Sequence, residues 1–265
     1  MKRWLKISLL LLSIIGLVVV LFFVNKAQNE TILALPKIII HVDGENSFLT
    51  ETELQQRLTR EQYIFPGQTF EQLDPHKIEA FIQAMPEVKN VRVFMKIGSN
   101  WSIDVELRVP IARIYNQFGE TFYLDTEGFT MHPSPLHTAR VVVVNGFIPD
   151  KLNSPPVPEL INNDSLKSIR KLDDVYRITK YVCNDPFLQA QIAQIHLNKK
   201  GEFVMIPQVG GQTIVFGTAY TEQEVADKFE KLKVFYKHAL PYEGWNKYSE
   251  IILKYENQIV GKKKD

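Results

Sequence analysis

An uncharged run of eighteen residues, Ile7 to Val24 (ISLLLLSIIGLVVVLFFV), constrains this chain more than any other feature. As a helix it is ~27 Å long at 1.5 Å per residue, close to the ~30 Å of a bilayer's hydrocarbon core. Main-chain polar groups go unpaired in lipid unless they bond within the segment, so the run is predicted to be helical. Trp4 and Leu5 extend it at the interface. A cleaved signal peptide has a shorter apolar region, about 7 to 15 residues, followed by small residues. Here Phe22-Phe23-Val24-Asn25-Lys26 follows, so an uncleaved anchor is expected. Lys2, Arg3 and Lys6 precede the run and only Lys26 follows closely. By the positive-inside bias, residues 1–6 stay in the cytoplasm and the remainder is exported.

The exported part has few special chemical features. The 31 basic and 30 acidic residues give a net charge of +1, which offers no electrostatic footprint for nucleic acid. The single cysteine, Cys183, cannot form an internal disulfide, so each folded region depends on its own apolar core. The six histidines (His41, His76, His132, His137, His196 and His238) show no metal-ligand spacing. No nucleophile elbow, Walker loop or dinucleotide fingerprint occurs. Asp125 and Glu127 could be taken as a catalytic pair, but they adjoin Gly128 and suit turn chemistry better. Neither an enzyme nor a bound cofactor or metal is expected.

Patterning divides the exported part in two. From 36 to 108, a β-branched run (Lys37 to Val42) ends at Asp43-Gly44. Thr50-Glu51-Thr52-Glu53 is a capping box opening a helix with Leu54 and Leu58 on one face. Gly67 to Leu73 reads as a loop. Asp74-Pro75 starts a second helix, with Ile78, Phe81, Ile82 and Met85 on one face. Val88 to Ile97 and Trp101 to Leu107 then read as strands, the second alternating apolar and polar residues. The order is β-α-α-β-β.

From 109 to 260 a mixed β-rich domain with helices is predicted. A hairpin turns at Gln117 to Glu120, and a strand at Arg140 to Val144 closes at Asn145-Gly146. A Pro-rich loop runs from Phe147 to Asn163, and an amphipathic helix from Leu166 to Val182. Three strands (Ile192 to Asn198, Glu202 to Ile206, Thr213 to Phe216) precede a helix opened by Thr221-Glu222-Gln223-Glu224. Tyr248 to Val260 reads as one last strand, and 261–265 as a charged tail.

This β-α-α-β-β order after an anchor resembles a POTRA domain. The residues carrying the likeness are Gly67-x-x-Phe70-x-x-Leu73-Asp74, the helix Ile78 to Ala84, and Pro86-Glu87-Val88-Lys89-Asn90-Val91-Arg92-Val93. Glu106-Leu107-Arg108-Val109-Pro110-Ile111-Ala112 and Tyr123-Leu124-Asp125-Thr126-Glu127-Gly128 then resemble the FtsQ/DivIB family of bacterial division proteins over essentially the whole chain. The resemblance implies an α+β protein: one transmembrane helix (7–24), a linker (25–35), a POTRA domain (36–108) and a C-terminal β domain (109–260). It also implies a non-catalytic divisome scaffold, single-pass in the inner membrane and located at the septum. Its implied contacts are FtsB and FtsL through the C-terminal strand, with FtsK, FtsW and FtsI as further partners. In that family the strand around an "L-x-Y" motif accepts a strand from FtsB, which here points to Leu253, Lys254, Tyr255, Glu256, Asn257, Gln258 and Ile259. A preceding family aromatic corresponds to Trp245 or Tyr248. Two other readings use the same features. A POTRA-bearing component of outer-membrane protein assembly calls for tandem POTRA units and a barrel, for which too few residues remain. A membrane-anchored periplasmic enzyme calls for converging titratable groups, which the sequence does not supply.

Overall fold

The computed structural model describes every residue except 1, 43–47, 97, 135, 136, 162, 164, 167, 168, 257 and 265; for 2, 3 and 5–9 only the backbone is described. The expected turn at Asp43-Gly44 therefore lies outside the described residues. Helix α1 spans Lys2–Asn29, and its segment Leu10–Asn29 is long and apolar enough to cross a membrane. The chain divides into two compact units, Met1–Leu107 and Arg108–Asp265.

In the first unit β1 (Lys37–His41) is followed by α2 (Glu51–Arg60), a 3-10 turn (Phe70–Gln72) and α3 (Pro75–Gln83), then by β2 (Val88–Met95) and β3 (Trp101–Leu107). The strands lie in the order β1-β3-β2. β1 runs parallel to β3 (Ile38 opposite Ile103) and β2 antiparallel to it (Val91 opposite Val105). One core joins Leu54, Leu58, Ile78, Ile82 and Met85 of the helical side to Ile38, Val91, Ile103 and Val105 of the sheet. Thr50 caps α2 by accepting from Glu53 N–H at 3.2 Å. The Glu53 carboxylate does not complete a box: Arg57 holds it at 2.5 Å and reaches Glu87 at 2.7 Å. Within the expected loop, Thr69 N–H donates to Gln72 Oε1 at 3.0 Å and stabilises the 3-10 turn.

The second unit contains β4 (Pro110–Tyr115), β5 (Thr121–Asp125), β6 (Thr130–Met131), β7 (Val142–Gly146), α4 (Val157–Leu160), α5 (Leu172–Cys183), α6 (Pro186–Gln191) and β8 (Ile192–Leu197). β9 (Phe203–Pro207), β10 (Thr213–Gly217), α7 (Glu222–His238), α8 (Leu240–Glu243), β11 (Tyr248–Ile252) and β12 (Val260–Lys263) follow. The strands form one nine-stranded sheet, ordered β12-β11-β10-β9-β8-β7-β4-β5-β6. Helix positions Val175, Ile178, Val225, Phe229 and Leu232 share a core with Ile114, Val144, Ile195, Met205, Ile214 and Ile251 of the strands.

The two sequence stretches flanking the start of this unit meet in space. Arg108 Nη1 donates to Asp125 Oδ2 at 2.8 Å, while Asp125 Oδ1 accepts from Glu127 N–H at 2.9 Å and Phe129 N–H at 2.7 Å. Asp125 is thus a turn and ion-pair residue. Gly128 follows at φ 85°, where a Cβ would approach Val157 Cβ to 2.6 Å, so the turn requires glycine.

Three expectations need correction. The helix expected from Leu166 begins at Leu172. Its first N–H groups are satisfied by buried Asp150, which accepts from Lys171 N–H at 2.8 Å and Leu172 N–H at 3.0 Å, a cap 22 residues upstream that local patterning does not show. The strand expected at 140–144 is β7 at Val142–Gly146, so Asn145-Gly146 belongs to the strand rather than closing it. Tyr248 to Val260 is not one strand: the chain leaves the sheet after Ile252 and returns antiparallel from Val260 to Lys263, so the expected tail supplies the last strand.

At the start of α5 lies a buried charge cluster. Arg177 Nη1 donates to Asp173 Oδ2 and Asp174 Oδ1, both at 3.1 Å, and to Ala219 O at 3.2 Å. Lys171 Nζ reaches Asp174 Oδ2 at 3.0 Å. Burial pushes the Asp174 carboxyl up to about 6; Lys171 and Arg177 oppose the shift and Asp173 adds to it. This carboxyl titrates higher in the folded than in the unfolded chain. Its protonated form therefore favours the fold, and the stability it contributes grows as pH falls from about 6 toward 4, by up to ~1.4 kcal/mol per pH unit. The unfolding free energy of the wild-type chain should rise relative to Asp174→Asn over that interval. A difference independent of pH would contradict the shift.

Candidate partner-binding edge

β12 is the terminal strand of the nine-stranded sheet: one side pairs with β11 and, among the described residues, no strand meets the other. A terminal strand presents main-chain N–H and C=O groups on which an incoming strand can form. β12 is seated by the register Ile252 opposite Val260, Ile251 opposite Gly261 and Glu250 opposite Lys262. Lys262 Nζ lies 3.3 Å from Glu250 Oε1, and Ser249 Oγ donates to Lys262 O at 3.2 Å. Gly261 leaves room for the Tyr248 ring, to which a Cβ would approach within 2.5 Å. Tyr248 in turn packs edge-on against Phe235 of α7, centroids 5.8 Å apart.

The β2 edge of the first unit is treated differently. Glu79 Oε1 accepts from Val93 N–H at 2.8 Å, and Gln83 Nε2 donates to Lys89 O at 3.1 Å. Side chains of α3 thus occupy main-chain groups that an added strand would need.

The residues named from sequence surround β12 rather than form it. Leu253 turns inward and is 0% exposed, with its N–H donating to Val215 O at 2.9 Å. Lys254 faces Glu202 of its own chain, 3.4 Å from Oε1. Tyr255 is 44% exposed and Ile259 packs against the core. Glu256 and Gln258 are exposed, and Asn257 lies outside the described residues. Trp245 sits before β11, with its ring 5.7 Å from that of Tyr236, away from the bend. Tyr248 is on β11 beneath Gly261. Sequence reading missed β12 itself. The signal was present in Glu256-Asn257, a turn-forming pair between two β-rich runs.

Among the described residues, no three His, Cys, Asp or Glu side chains are grouped to hold a metal ion. Burial raises the pKa of the Cys183 thiol, the reverse of an activated nucleophile.

An apolar N-terminal helix, a three-stranded β-α-α-β-β unit and a nine-stranded sheet with helices define an α+β, POTRA-bearing protein. The first unit matches the family model described as a POTRA-like domain over residues 37–106. Residues 109–262, more than half of the chain, match the model described as FtsQ/DivIB, C-terminal related. The chain belongs to the FtsQ/DivIB family of cell-division proteins. No individual curated protein matches it.

Proposed function

We propose that this protein is a divisome scaffold, anchored in the inner membrane by α1 and located at the septum. Residues 1–6 lie in the cytoplasm and both folded units outside it. The observation that carries this reading is the bare outer side of β12, within a unit that belongs to a division family. FtsB adds a strand there, with FtsL alongside; FtsK, FtsW and FtsI are further partners, and the POTRA unit takes part in recruitment. Strand addition takes affinity from main-chain hydrogen bonds and specificity from alternate side chains. Lys262 and Lys263 favour acidic residues on the added strand. Tyr255, which is exposed, is the aromatic anchor, with Lys254, Glu256, Gln258 and Ile259 as its neighbours; Leu253 is buried and holds the bend to the core. Tyr255→Ala should weaken FtsB binding by about 2 kcal/mol without unfolding the chain. Isothermal titration checks this, and a loss under about 0.5 kcal/mol would remove Tyr255 from the interface. A fluorescent fusion in the native cell tests the function itself. Midcell accumulation during constriction is expected, and uniform envelope fluorescence would contradict it.

A further inference from the structure

Lys231, on α7, directs its ammonium at one stretch of main chain. Nζ donates to Tyr255 O at 2.6 Å, Leu253 O at 3.3 Å and Glu256 O at 3.4 Å. An ammonium has three donors, and all three are engaged by carbonyls of the bend between β11 and β12. In a continuing strand such carbonyls would bond a neighbouring strand; here the chain has left the sheet and they need another donor. The bend's own described main-chain bonds are Leu253 N–H to Val215 O and Gln258 N–H to Glu256 O. Lys231 also lines a groove of about 1010 Å³ together with Val234, Tyr255, Gln258 and Ile259.

We propose that Lys231 is the positioning residue of the docking edge. It fixes the bend and so sets where β12 begins and how its outer N–H and C=O groups are presented to an extended peptide strand. This rests on the reading of β12 as that edge. Lys231 is distinct from its helix neighbours: Lys228 is spent on Glu224 and Thr218 O, and Lys233 on Asp185 and Glu230.

The test uses the full chain in nanodiscs, with Lys231→Met removing the donors at similar length and Lys231→Arg keeping a multidentate cation. Hydrogen exchange and affinity for the native cell's FtsB are both measured. Lys231→Met should speed exchange at 258–263 at least tenfold while leaving β8, β9 and α5 within threefold of wild type. It should also weaken FtsB at least tenfold, and Lys231→Arg should restore both. Unchanged exchange at 258–263 would overturn the clamp. Faster exchange with unchanged affinity, or a loss of protection throughout the sheet, would overturn the positioning role. Failure of the wild-type chain to bind FtsB would instead refute the docking reading, with the exchange result still deciding the clamp.

Discussion

Replacing Arg177 with Met should destabilise the second unit by about 3–5 kcal/mol at pH 7, because it takes the ion-pair partner from buried Asp173 and leaves Asp174 with Lys171 alone. The guanidinium is the shared partner of Asp173 and Asp174, and its residue is 4% exposed. Methionine retains much of the side-chain volume, so the loss reports charge rather than packing. The acid response separates these two causes. With Arg177 gone, protonation of the carboxylates relieves the repulsion, so the deficit should shrink as pH falls from 7 to 5. Replacing Lys171, Arg177, Asp173 and Asp174 together with apolar residues should recover most of the loss, since a buried ionic group can be exchanged whole at little cost. Urea unfolding of the full chain, followed by hydrogen exchange in β8 to β10, measures all three. A deficit that does not change with pH would mean that Arg177 acts by shape.

In the first unit Ile82→Ala should cost about 2–5 kcal/mol, the range for deleting a fully buried branched side chain and leaving a cavity. Ile82 is 0% exposed, on the face of α3 that also carries Ile78, and shares a core with Met85 just beyond the helix. Exchange at β2 and β3 is the local readout. Trp101 is a second one, buried against the same core with Nε1 donating to Ala34 O at 2.8 Å. A loss below about 0.5 kcal/mol would put the side chain on the surface. Phe81, which is only half-buried, should cost less.

Local and periodic signals carried much of this fold. Ile78 and Ile82 could be placed on one helix face because the 3.6-residue repeat is local; Met85, expected on the same face, lies past the helix end at Gln83 yet joins the same core. Ile103 and Val105 could be placed inward because period two is strict there. What escaped depends on contacts distant in sequence. The true start of α5 is set by Asp150, 22 residues before Leu172, whereas the 3-10 turn at Phe70 is a local feature, held by Gln72 returning to Thr69. The split of the last strand was marked in the sequence only by Glu256-Asn257 between two β-prone runs. The break depends on Leu253 turning into the core and on Lys231, 24 residues before Tyr255, gripping its carbonyl. The same residues explain why the sequence placed the expected partner contact on a single strand, 248–260, which the structure divides in two. Tyr255 is legible as an exposed aromatic, but β12 follows it rather than containing it.

The central claim, that another chain adds a strand along β12, is tested most directly by two proline variants of the full chain titrated with FtsB. Successive residues of an antiparallel strand send their N–H groups to opposite sides. Of Lys262 and Lys263, one therefore faces β11 and the other the bare edge. Proline at the outward-facing position removes a donor needed only by the incoming strand and leaves the hairpin with β11 intact. The account predicts that one of Lys262→Pro and Lys263→Pro keeps wild-type unfolding and β11 exchange while its FtsB affinity falls at least tenfold. Wild-type affinity in both variants, with the chain folded, would contradict it.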